Sequence, residues 1–226
     1  MKSRHSNHQK RGPRPIEEQV QTLAAAFSLS ADRALTFIAT ELPQLTLPSD
    51  ADRWFAILSP TTLERASPTR CDADRRYYEG LYLIFQRLTQ SCSFTNNALI
   101  PLYKRRLFQR SETIAAIDQV AQRQKGDILI IPANIGFGGG TSLWRSGDKS
   151  FGLRSSEVAC IILSNLESLR KFENLEIECA GDEVNPECGS VKGVPCFRCK
   201  KGMITYYVNE LGCGRNSLGT GYGFFP

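Results

Sequence analysis

The sequence predicts an α+β fold, with an α/β arrangement as its variant. A helical N-terminal half packs on a small mixed sheet, and a Gly/Cys-rich β-hairpin region ends the chain. Three observations predict this. Apolar residues recur at helical spacing between residues 16 and 88. Two short branched-apolar runs, 127–132 and 174–179, flank a helix-like segment. The last third is rich in glycine and cysteine, with a clear strand at 203–208. The expected organisation is a disordered basic tail over 1–15, a helical region over 16–108 and an α/β region over 109–226, read as one integrated domain.

Each element has a local reason. Pro15 with Glu17 and Glu18 suits a helix start, because acids favour the positive end of the helix dipole. Val20, Leu23 and Phe27 form its stripe, and Leu35, Ile38 and Leu42 form that of a second helix after a break at Ser30. A third helical stretch is expected at 50–58, capped by Ser49 or Asp50, with Trp54, Phe55 and Leu58 inward. The segment 71–88 is a strong helix whose face is Tyr77, Leu81, Ile84, Phe85 and Leu88, with Tyr77 read as core. Ser111 is expected to cap a helix that ends with Lys125 at its negative end and Gly126 as its stop. A further helix starts at Ser155 or Ser156. Strand 203–208 is expected to pair with 193–198 across "CKKG".

Composition excludes several functions. The chain has 226 residues, with 41% apolar and 23% charged, enough for a real core without disulfides. No apolar run reaches the roughly 20 residues of a membrane span, so no membrane partner is expected. The N-terminus lacks the apolar stretch of a secretory signal, which points to a cytoplasmic protein with reduced cysteines. Lys2, Arg4, Lys10, Arg11 and Arg14 account for the whole formal charge of +5. Only two histidines occur, His5 and His8, both in the tail. Centres that need imidazole in the core, such as Ser-His-acid or HExxH, are therefore excluded.

Four constellations remain. The first is the loop after strand 127–132: Asn134, Gly136, Gly138, Gly139, Gly140, Thr141 and Ser142, whose backbone N–H groups can approach an anion or nucleotide. The second is Asp182 with Glu183, candidate catalytic carboxylates able to hold Mg²⁺ or act as a general base. A parallel βαβ unit would bring both groups to one sheet edge. The third is the basic patch Lys104, Arg105, Arg106 and Arg110 beside Tyr103 and Phe108, suited to nucleic acid or an acidic protein. The fourth is Cys188, Cys196, Cys199 and Cys213, candidate zinc ligands. Pro195-Cys196-Phe197-Arg198-Cys199 is also half of a zinc-deaminase signature, but the His-x-Glu half is missing.

With no complete catalytic motif, the sequence favours a non-catalytic binding protein that contacts nucleic acid or an acidic partner through the tail and the 104–110 patch. The alternative is an α/β enzyme or ligand-binding domain with its site at Gly136–Ser142 and Asp182-Glu183.

Overall fold

The computed structural model describes residues 12–65, 73–98, 107–136, 150–172, 174–184, 193–210 and 219–224. Among these are seven α-helices and a mixed sheet of ten strands, an α+β fold. In chain order they are α1 (Ile16–Phe27), α2 (Asp32–Thr40), β1 (Arg53–Leu58), α3 (Pro60–Arg65), α4 (Ala73–Ser91), β2 (Ser93–Asn96), β3 (Leu107–Gln109), α5 (Ser111–Gln124) and β4 (Ile128–Asn134). Then come β5 (Ser150–Gly152), α6 (Ser155–Ser164), α7 (Leu166–Leu169), β6 (Leu175–Cys179), β7 (Asp182–Val184), β8 (Gly193–Lys200), β9 (Met203–Glu210) and β10 (Gly219–Phe224).

The stretch expected as a third helix is a strand instead. Residues Arg53–Leu58 pair antiparallel with β4, Phe55 opposite Ile131 and Leu58 opposite Ile128. Phe55 through Leu58 are all buried, so both faces of the strand are covered. A strand covered on both faces loses its period-2 signature and cannot be told from a helix by periodicity. The end of α5 also differs from expectation. Arg110 occupies the N-cap position, and Lys125, at φ 51°, takes the left-handed position that Gly126 was expected to supply.

The C-terminal hairpin forms as expected. β8 and β9 pair from Gly193↔Glu210 to Lys200↔Met203. Their two-residue loop is Lys201-Gly202, with φ 49° and 81°. Positive φ at both positions is the mirror-image turn whose twist matches paired strands.

The principal strand order is β1-β4-β10-β6-β8-β7-β3, with β5 on β10 and β9 joining β8 to β2. The expected parallel βαβ unit is absent. β10 runs antiparallel to β4 and parallel to β6, so β4 and β6 run in opposite directions with β10 between them. The sequence reading had no strand at 219–224, where glycine alternates with other residues, nor at 150–152. β10 lies between β4 and β6, and β5 pairs with it.

Where β5 and β6 end beside β10, the backbones touch. Leu153 N–H donates to Gly221 O at 3.0 Å, and Gly181 N–H donates to Leu153 O at 2.8 Å. A Cβ on Gly152 would lie 2.5 Å from Ala180 C, and one on Gly181 would lie 2.5 Å from Gly152 O. Only glycine allows this crossing, and out of it rises α6. Every residue of α6 is buried. It packs against α1, α4 and β1 and extends to β6 and β8. Beside it an aromatic cluster of Phe85, Phe94, Phe197 and Tyr206 has ring centroids 4.8–6.1 Å apart.

Substituting Gly181 with alanine is therefore expected to destabilise the protein by about 3 kcal/mol or more, since the clash is with backbone that cannot rotate away. Gly12→Ala, with nothing within 4 Å of its Cβ, is the neutral control. Urea unfolding of the two variants measures the difference.

Candidate functional site

The crossing places the start of α6 against β7, β3, α4 and β9. Asp182 opens β7 directly after the Ala180-Gly181 turn and is 0% exposed. Its Oδ2 accepts from Ser155 N–H at 2.7 Å and from the Tyr77 hydroxyl at 2.7 Å. Ser156 N–H donates to the Tyr77 oxygen at 3.3 Å, and the Ser155 and Tyr206 hydroxyls bond at 2.8 Å. Two of the orphan N–H groups of the helix start are thus met by groups from other elements. A carboxylate also suits the positive end of the helix dipole.

A second carboxylate completes the turn. Glu157 accepts from Arg154 N–H at 2.8 Å and from the Arg154 guanidinium at 2.7–3.2 Å, and it also accepts from the Ser156 hydroxyl at 2.9 Å. Arg154 and Glu157 are an ion pair with side chains 4% and 1% exposed. The guanidinium lies 5.2 Å from the Tyr77 ring centroid, and its remaining end donates to the Gln109 side-chain oxygen on β3.

Electrostatics follow from burial. Burial pushes the Asp182 carboxyl up to about 6, against the lowering effect of the Ser155 and Tyr77 hydrogen bonds and the Arg154 charge. Burial alone would also raise Glu157, but the Arg154 charge and hydrogen bonds outweigh it and hold this carboxyl below its usual range. Tyr77 is raised by burial first and then by Asp182, so it remains a phenol and a donor. Asp182 Oδ1 has no hydrogen-bond partner among the described residues.

The candidates from sequence are distributed differently from the expectation. Asp182 and Glu183 are consecutive on a strand, so they point to opposite faces and cannot converge on one atom. Asp182 is in the core. Glu183 lies opposite Phe108 and lines an open groove of about 350 Å³ with Gln109, Arg110, Ser111 and Glu112. Asn134 belongs to a local turn: its amide donates to Asp50 O at 2.8 Å, and its oxygen accepts Gly136 N–H at 3.0 Å, with Gly136 at φ 84°. Gly138, Gly139, Gly140, Thr141 and Ser142 lie outside the described residues, as do Lys104, Arg105, Arg106, Cys188 and Cys213.

Cys196 and Cys199 are buried, unbridged and three apart on β8, which puts them on opposite faces of the strand. Burial pushes Cys199 up to about 12, and Cys196 rises for the same reason. A zinc ligand must be a thiolate, so both strand geometry and protonation work against one site holding both. Among the described residues no group of three or more His, Cys, Asp or Glu is placed to hold a metal ion.

Sequence reasoning missed Arg154, Glu157, Gln109 and Tyr206, and took Tyr77 as simple core. One signal was present: Glu157 is the single charged residue in a helix that is otherwise uncharged on every side. Such a helix is buried all round, so its one carboxylate needs a buried cation. Comparison with family models, with curated proteins and with solved structures gives no match.

Glu157→Gln leaves Arg154 a buried cation without its carboxylate, and a loss of about 3–5 kcal/mol is expected by urea unfolding. Asp182 generates a pH effect of the opposite kind. Its folded value, about 6, stands above the roughly 3.9 of an ordinary aspartate. The folded state therefore holds the extra proton between pH 4 and 6. The stability this contributes is full below pH 4, declines as pH rises through 6 and is lost above. The contribution is roughly 3 kcal/mol at 1.36 kcal/mol per unit. Unfolding midpoints of wild type and Asp182→Asn from pH 4 to 7 should show that component of the slope only in the wild type.

Proposed function

We propose that this chain is a non-catalytic binding protein that engages a nucleic-acid strand through the outer edge of its sheet. The observation that carries the reading is the surface at β3. This strand stands at the end of the principal strand order. Its Phe108 is 44% exposed. Arg110 follows two residues on and lines the same groove. An exposed aromatic ring beside an arginine suits a nucleobase stacked next to its own phosphate. In sequence Lys104, Arg105 and Arg106 immediately precede this strand.

Glu112 and Glu183 also line the groove, so the reading assigns phosphates to Arg110 and residues 104–106, and a base to Phe108. Two anchors support a rigid contact surface. Gln109 accepts from Arg154, and Arg110 N–H donates to Gly181 O at 2.9 Å. The basic tail is rooted at the far end of α6, where Arg14 N–H donates to Asn165 Oδ1 at 2.8 Å and its guanidinium pairs with Glu167 at 3.2 Å. Arg14 and Arg110 are thus anchored near opposite ends of a helix about 15 Å long.

The enzymatic alternative places chemistry at Asp182. A carboxyl raised toward neutrality suits a general base. Against it, Asp182 is fully buried, and its described hydrogen bonds go to the protein's own helix start and Tyr77. That supports a structural role.

Fluorescence anisotropy with a labelled oligodeoxythymidylate at several salt concentrations tests the proposal. Four phosphate contacts from the patch give a slope of log affinity against log salt near −3. Arg110→Ala should reduce its magnitude by about 0.7. Phe108→Ala should weaken binding by roughly 1–3 kcal/mol and leave the slope unchanged. Binding absent at low salt would overturn the reading. Equal competition by polyglutamate would transfer it to an acidic protein partner.

A further inference from the structure

A cleft of about 250 Å³ opens between α1, α3 and α4, away from the β3 edge. Phe27 and Leu29 at the end of α1, Leu58 at the end of β1, Leu63 on α3 and Leu83 on α4 form its apolar walls. An apolar cavity of about 150 Å³ is enough to admit benzene, and sites for drug-sized ligands start near 300 Å³. This cleft therefore fits one ring with a short substituent, or a medium-length alkyl chain.

Its walls are set by backbone. A Cβ on Gly80 would lie 2.9 Å from Leu63 Cβ, so α3 and α4 meet at close approach beside the cleft. Its one neutral polar lining group is already occupied: the Thr62 hydroxyl bonds the Ser59 hydroxyl at 2.9 Å and the Asp127 carboxylate at 3.0 Å. The interior thus calls for an apolar group.

The charge around the cleft is uneven. Arg65 lines it and pairs with Asp127. Arg87 lies one turn beyond Leu83 on the same face of α4, with its guanidinium 5.9 Å from the Phe27 ring centroid. Arg87 donates to the Gln90 side chain and has no carboxylate partner among the described residues. Glu79, one turn before Leu83, pairs with Arg75, and Glu64 pairs with Arg76. Among the described residues, the carboxylates of Asp127, Glu79 and Glu64 each have a cation, and Arg87 has no carboxylate.

We infer that this cleft is a binding site for a small amphipathic anion, an aryl or medium-chain acyl carboxylate, with its apolar part against Leu63 and Leu83 and its carboxylate toward Arg87. The inference does not depend on the nucleic-acid reading.

Isothermal titration of the full chain with sodium octanoate tests it, with 1-octanol as the uncharged probe. Octanoate is expected to bind one to one with Kd on the order of 0.1–1 mM, the range for a ligand of ten non-hydrogen atoms. Leu83→Phe fills the cleft and should weaken both probes at least about tenfold. Arg87→Gln alters only an exposed side chain, so folding is retained. It should weaken octanoate by about threefold or more and leave octanol unchanged. Two results overturn the inference: no saturable octanoate binding to the wild type at several millimolar, or octanoate affinity unchanged by both variants. Equal binding of octanol and octanoate together with no effect of Arg87→Gln overturns the anion assignment.

Discussion

The rest of the structure depends on how the first turn of α6 is satisfied without water. A helix buried on every side brings its unbonded N–H groups and the positive end of its dipole into the core, where an unmet donor costs about 1–3 kcal/mol. Here Asp182, Tyr77 and Glu157 meet them, and Arg154 neutralises Glu157 at the same point. None of these charges is tolerable alone at such depth. Together they form a closed set in which each group is the reason another can be buried.

That set exists only because of the sheet topology. β10 inserts between β4 and β6, and the β5 and β6 chain ends cross at glycines. The crossing brings the start of β7 to the start of α6, so a residue 27 positions away in sequence can cap the helix. The same geometry turns Glu183 outward, toward β3. Core and surface are mechanically joined there: the Arg154 guanidinium holds Gln109, and the next residue, Arg110, is tied through its backbone to Gly181. A surface anchored this way loses little freedom when it binds a ligand, which favours affinity.

Local elements were legible where local physics decides them. The stripes of α1, α4 and α5 and the β8–β9 hairpin with its Lys201-Gly202 turn could all be read from spacing and turn chemistry. β1 could not, because burial on both faces erased its alternation. β10 could not, because a strand of alternating glycines has neither β propensity nor an apolar pattern, and its place in the sheet is set by close packing against Ile177, Val158 and Phe151. Of the site, Asp182 was singled out from sequence as a catalytic carboxylate at a sheet edge, whereas it lies buried at the start of α6. Its partners come from α4, α6 and β9, and sequence spacing says nothing about which elements meet. Arg154 and Glu157 stand only three residues apart and were within reach, since a lone acid in an apolar helix implies a buried partner.

Asp182 caps α6 as part of the folded core. Residue-resolved hydrogen exchange at the Ser155 amide tests it most directly. If the carboxylate holds this N–H in a fully buried network, Ser155 exchanges only through global unfolding, and its protection free energy equals the unfolding free energy from urea denaturation at the same pH. Exchange at Ser155 several kcal/mol easier than global unfolding would mean that the start of α6 opens on its own. The buried network would then be a mobile site and not the structural centre of the fold.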